Sequence, residues 1–229
     1  PNEEETLLDS LCGALSLANE HSAGLETIGA THHAHVLLMH CARAVHAYAE
    51  ASDPQDIELP LIDFMLEELT SAMDEASLLS PDNEAGANET LRDTYNRFLL
   101  AKHTTDALFS VDELFEDLAS SGRHLNPSLI CDILNLAIAE GTPIYNAGSH
   151  LGCAQVYLCA AVGLLRLLQE VNPGEGELEA RLRRELGPLV EDSEALLEED
   201  PDILSWSLRK IFDSLLEQAK EERRWEHDC

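Results

Sequence analysis

LCGALSLA, residues 11–18, and ICDILNLA, residues 130–137, align without a gap at a shift of 119 positions, and this pair decides how the chain is read. Cys12 falls opposite Cys131, Leu15 opposite Leu134 and Ala18 opposite Ala137, and further on Gly29 falls opposite Gly148. At a shift of 117, LRDTYNRFLL (91–100) lies on LRKIFDSLLE (208–217), with Tyr95 opposite Phe212. Between these blocks Leu61, Glu68, Leu69 and Leu79 fall on Leu178, Glu185, Leu186 and Leu196. Self-similarity at a long, fixed period is the mark of one packing unit used twice. It predicts a first helical repeat over 1–105, a second over 126–229, and a connection over 106–125. Ser110-Val111-Asp112-Glu113 has the spacing of a capping box and opens a short linking helix there.

Within each repeat the apolar residues recur at three- and four-residue steps. Leu8, Leu11, Leu15 and Ala18 form one stripe; Ile62, Met65, Leu66, Leu69, Ala72, Met73 and Ala76 form another; Leu204, Leu208, Ile211, Phe212, Leu215, Leu216 and Ala219 form a third. No segment alternates as a strand does. The breaks carry stop and start chemistry at Ser52-Asp53-Pro54, Ser80-Pro81-Asp82-Asn83, Ser121-Gly122, Asn126-Pro127, Asn172-Pro173-Gly174 and Asp200-Pro201. The expected fold is all-α, with two tandem four-helix units that form a duplicated bundle or a short α-solenoid.

Gly141, Ile144, Gly148, Cys153, Tyr157 and Ala160 carry small and aromatic residues at the spacing of a close-packed hairpin. Over about residues 130–165 this resembles the tetratricopeptide hairpin. Ala137 and Glu140 stand where that motif has tryptophan and leucine, its closing proline is absent, and nothing recurs after 34 residues. The resemblance implies a helix-turn-helix packing unit of the kind that binds peptides.

The formal charge of −30 comes from 44 acidic residues against 14 basic ones, of which only Lys102, Lys210 and Lys220 are lysines. A field of this sign repels phosphate backbones and anionic lipid and attracts cations or a basic protein, so the expected ligands exclude nucleic acid. Solubility or salt adaptation is the alternative source of such charge. Cysteines 12, 41, 131, 153, 159 and 229 form no CxxC pair and sit mostly in apolar helical runs, which predicts buried thiols in a reducing, intracellular compartment. PNEEET has neither a basic n-region nor an apolar h-region, so no signal peptide is expected here; cytoplasm, or an organelle after removal of a targeting segment, fits. The uncharged stretch Thr142 to Leu165 contains Pro143, Asn146, Ser149 and Gln155 and reads as a buried helix, with no membrane span expected.

THHAHVLLMHCARAVH, residues 31–46, holds five histidines. At 100° per residue, Ala34, Leu37, Leu38, Cys41, Ala44, Val45 and Tyr48 fall on one side, expected to face the core. His32, His35, Met39, Arg43 and His46 fall on the other, expected to face solvent or a partner. His32, His35 and Met39 could meet one soft metal ion, zinc or copper, or a haem iron, although no local fourth ligand completes a structural site and Arg43 disfavours a cation. In the second repeat Leu151, Ala154, Leu158 and Leu165 replace His32, His35, Met39 and His46. That helix is apolar nearly all round and needs cover on both faces, from its own unit and from the other repeat, a partner chain or a second copy.

Catalytic signals are sparse. His150 and Cys153 stand three apart at a helix start, where a thiolate can be stabilised, yet Cys153 also fits a close-packing position. There is no calcium loop, inward ExxH pair, phosphate loop, GxSxG or HExxH. The reading is a non-enzymatic acidic scaffold that binds another protein through His32, His35, Met39, His46, Leu151, Leu158 and Leu165. A metal or cofactor carrier using the histidine-rich helix and an enzyme of unknown class are the alternatives.

Overall fold

The computed structural model describes residues 6–52, 59–79, 83–121, 126–170 and 177–227. These residues form helices and no strand, so the fold is all-α. The helices are α1 (Leu7–Thr27), α2 (Thr31–Ala51), α3 (Leu59–Leu78), α4 (Glu84–Ser121), α5 (Pro127–Asn146), α6 (His150–Glu170), α7 (Glu177–Glu191), α8 (Ser193–Glu199) and α9 (Pro201–His227). Two compact units divide the chain, Pro1–Lys102 and His103–Cys229, with the boundary inside α4.

In unit 1, Thr6 caps α1: its hydroxyl accepts from the Asp9 N–H at 3.1 Å, and the Asp9 carboxylate accepts from the Thr6 N–H at 3.3 Å. This reciprocal pairing satisfies two otherwise orphaned donors. The stripe read from the sequence is the buried one, with Leu8, Leu11, Cys12, Leu15 and Ala18 turned into a core shared with Leu38, Met65, Leu69, Leu91 and Tyr95. The α1–α2 turn closes on Gly29, whose φ of 77° suits a residue without a Cβ. Ala30 N–H reaches the Leu25 carbonyl and Gly29 N–H the Glu26 carbonyl, both at 2.9 Å. That is the Schellman pattern.

Unit 2 repeats these features at the positions the sequence aligns. Gly148 has φ 95°, with Ser149 N–H on the Ile144 carbonyl at 3.1 Å and Gly148 N–H on the Tyr145 carbonyl at 2.9 Å. Ile130, Cys131, Leu134 and Ala137 of α5 are buried as Leu11, Cys12, Leu15 and Ala18 are. In unit 1 the Tyr95 hydroxyl donates to the Leu38 carbonyl. In unit 2 the aligned pair also meets, Phe212 packing edge-on against Tyr157 at 5.5 Å. Arg92 reaches Ser22 and Glu26 on α1, and the aligned Arg209 reaches Thr142 on α5.

The α5–α6 hairpin depends on small residues, as their spacing predicts. A Cβ on Gly141 would lie 2.4 Å from the Tyr157 ring, so only glycine lets that ring rest on the α5 backbone. Asn126 caps α5 by accepting from the Leu129 N–H at 2.9 Å, with Pro127 in the first turn. Asp200 accepts from the Ile203 N–H at 3.0 Å, at the start of α9.

One expectation is corrected. Residues 106–121 are not a separate linking helix: they are the last part of α4, and Ser110, read as a cap, donates its hydroxyl to the Asp106 carbonyl at 3.1 Å within the helix. Between Leu178 and Leu196 the chain forms two helices, α7 ending at Glu191 and α8 beginning at Ser193. The turn signals at 53–58, 80–82, 122–125 and 171–176 lie outside the described residues.

Candidate functional site

Over His150–Gln169 helix α6 is long and apolar enough to cross a membrane, yet much of it is core: Cys153, Ala154, Val156, Tyr157, Ala160, Ala161 and Leu164 are buried against α5, α7 and α9. Its remaining face meets the last four turns of α4. Between them runs a groove of about 660 Å³, with Leu108, Phe115 and Ala119 on the α4 wall and Leu158, Val162 and Leu167 on the α6 wall. The Phe115 ring rests on Gly163, where a Cβ would stand only 2.3 Å away. Asp112 and Glu116 lie along the α4 wall and Arg166 on the α6 wall. The Cys159 thiol also lines the groove, and burial first of all, with the nearby Asp112 carboxylate, raises its pKa above the ordinary value. It is therefore a weak nucleophile in an apolar wall.

A second, smaller pocket of about 230 Å³ lies among α5, α6 and α9. Tyr145 stacks on His150 at 4.5 Å and meets Trp206 edge-on at 5.7 Å. The Tyr145 hydroxyl donates to Asp202 at 2.7 Å and accepts from the Trp206 indole N–H at 2.8 Å. The Asp202 hydrogen bond is the main reason the Tyr145 pKa is raised, which keeps it a phenol. Arg209 donates from Nε to both Asp213 oxygens at 3.1 Å and from Nη1 to Thr142 at 3.0 Å. Cys153 is not a poised nucleophile: it is 1% exposed, and burial pushes its thiol up to about 11.

The histidine face lies along a seam with α3 and α4 in unit 1, where the His32 side chain is 68% exposed and His35 and His46 are partly buried. His32 Nδ1 meets the Glu84 carboxylate at 2.6 Å, His35 Nδ1 meets Asn88 Oδ1 at 3.1 Å, and His46 Nε2 meets Thr70 Oγ1 at 2.9 Å. Asn88 is fully buried and donates its amide to Glu26 at 2.7 Å and to the Thr31 carbonyl, so its oxygen accepts and His35 carries a proton on Nδ1. Met39, expected on the outer side, is 7% exposed and belongs to the core. The inward face of α2 is Ala34, Leu38, Met39, Ala42, Val45 and Ala49, rotated from the expected one, and it leaves Tyr48 58% exposed. His32 and His35 thus point their Nδ1 atoms at separate α4 side chains. Among the described residues no three His, Cys, Asp or Glu side chains gather as metal ligands.

Glu26 anchors this seam. Burial raises its pKa, but hydrogen bonds from Arg92 and Asn88 and the Arg92 charge outweigh it, so the carboxyl is held below its ordinary 4.5. A carboxyl depressed in the folded state contributes stability above its unfolded value, and that contribution is lost as pH falls through the folded one. Thermal melts followed by circular dichroism should therefore show native stability falling more steeply below pH 4.5 than that of Glu26→Gln. Parallel curves would remove Glu26 from the acid response.

Of the expected apolar contacts, Leu158 lines the groove, Leu151 is 46% exposed at the start of α6, and Leu165 is half-buried outside the groove lining. Sequence reasoning missed the α4 wall. Its signal was present as Leu108, Phe115 and Ala119 beside the buried stripe of Ala107, Val111 and Leu118, a helix apolar over more than one face. A scan against protein-family models and searches of curated proteins and solved structures find no match to this chain.

Proposed function

We propose that the chain is a non-enzymatic interaction protein whose second unit takes an apolar, basic helical segment of a protein partner into the α4–α6 groove. The observation that carries this is the groove itself: two apolar helix walls that meet where Phe115 rests on Gly163, with Asp112 and Glu116 beside them. A helix laid in such a groove buries one apolar stripe and leaves its flanks to meet the rim. In a chain of charge −30 the complementary flanks are lysine and arginine, which also speeds encounter. The aligned glycine turns and aromatic contacts support reading the two units as copies of one packing unit. The cysteine spacing supports a reducing compartment. The engaged histidines favour a contact on α6 over one on α2.

The test is affinity capture from native extract with the unmodified chain, with Leu158→Glu/Val162→Glu, and with Leu17→Glu on the exposed side of α1, where Leu17 is 57% exposed. A partner should be retained by the first and last and lost from the groove variant, at a cost of at least about tenfold in affinity, since a carboxylate there is desolvated. A synthetic peptide of that partner's basic apolar segment should bind alone and slow alkylation of Cys159. Partners that ignore the groove variant, or unchanged Cys159 labelling in the complex, would refute the reading.

A further inference from the structure

The pocket among α5, α6 and α9 has features that the groove reading does not use. At about 230 Å³ it is smaller than sites for drug-sized ligands and matches one side chain or a compact head group. Its polar handles are mostly spent internally. The indole N–H of Trp206 is given to Tyr145, the Tyr145 hydroxyl to Asp202, and Arg209 to Asp213 and Thr142. What remains open is the π surface of Trp206, 49% exposed, and the outward lone pairs of Asp213, whose side chain is 55% exposed.

Charge decides which class of ligand this suits. Asp202, Trp206, Arg209 and Asp213 follow one another at steps of four, three and four along one face of α9. Asp213 neutralises Arg209 and Asp202 leaves a negative excess, in a protein whose whole field is negative. An anion would have to compete with the Asp213 carboxylate for the Arg209 guanidinium. A cation meets an aromatic face and a carboxylate, the two elements of cation–π recognition. A guanidinium suits them best, being planar enough to lie on the indole while its forked N–H groups reach the carboxylate.

We propose that this pocket receives an alkylguanidinium group, the side chain of an arginine presented by a partner, as an anchor separate from the α4–α6 groove.

Trp206 reports on the site directly. With Trp225→Phe as background it is the sole indole, and its emission can be followed while N-acetylarginine amide or its neutral isostere, N-acetylcitrulline amide, is added. The expected result is a saturable change with half-saturation in the millimolar range for the arginine compound, and binding about tenfold weaker for the citrulline one. Asp213→Asn should weaken the arginine compound, and Leu158→Glu/Val162→Glu should leave it unchanged. Equal response to the two compounds, or no saturation with either, would overturn the proposal. Partner capture through the groove would survive that outcome, so the two readings fail separately.

Discussion

Phe212→Ala is expected to destabilise the second unit by about 3–5 kcal/mol, the cost of emptying a large aromatic site in a close-packed core. Phe212 is fully buried on α9, and its ring stands edge-on to Tyr157 of α6 at 5.5 Å and 63°. Removing it takes away the transfer free energy of the ring, the aromatic pairing with Tyr157 and the contacts of the cavity lining. Both tryptophans, Trp206 and Trp225, belong to this unit, so urea unfolding followed by indole emission reads its stability without interference from the first. A loss under about 1 kcal/mol would mean that α6 and α9 do not meet through this ring. Phe212→Leu should recover part of the loss, because it restores volume but not the edge-on contact.

The second large effect is a reversal of sign between two identical substitutions. Gly141→Ala is expected to cost about 1–3 kcal/mol, because the new Cβ would stand 2.4 Å from the Tyr157 ring. That ring is held in place: it is 3% exposed, meets Thr142 through its hydroxyl at 3.3 Å, and packs on Phe212. Gly24→Ala, in the middle of the last turns of α1 with nothing within 4 Å of a Cβ, should instead stabilise by up to about 1 kcal/mol, the ordinary helix advantage of alanine. Urea midpoints by circular dichroism for the Gly24 change and by indole emission for the Gly141 change separate the two. A stabilising Gly141→Ala would show that the close approach of the Tyr157 ring to α5 does not depend on the absence of a Cβ at residue 141.

Glycine and apolar spacing made the hairpins legible, and local sequence could carry no more than that. The turns at Gly29 and Gly148 and the buried stripes of α1 and α5 follow from short-range rules: a left-handed turn wants glycine, and a 3.6-residue period marks one face. These are properties of a few neighbouring residues, so they can be read one segment at a time. The continuity of α4 through Ser110 was not legible, because a capping-box spacing and a helix interior differ only in where the hydroxyl bonds. There it found the Asp106 carbonyl, in a stretch whose Ala107, Val111 and Leu118 are buried.

The candidate site was readable on one wall only. An α6 apolar on every side announces that something must cover it, and Leu158 was expected there; which helix supplies the opposite wall depends on packing between segments about 45 residues apart. The histidines show the same limit. His35 is a solvent-facing residue by period alone, but Asn88, 53 positions away, gives its Nδ1–H an acceptor inside the fold. Sequence by itself thus determined an all-helical chain with aligned hairpins and an acidic field, because periodicity and charge are summed over residues. Only the tertiary structure decided which polar faces close on each other and where a groove stays open, because burial is settled by whichever distant surface arrives to complete it.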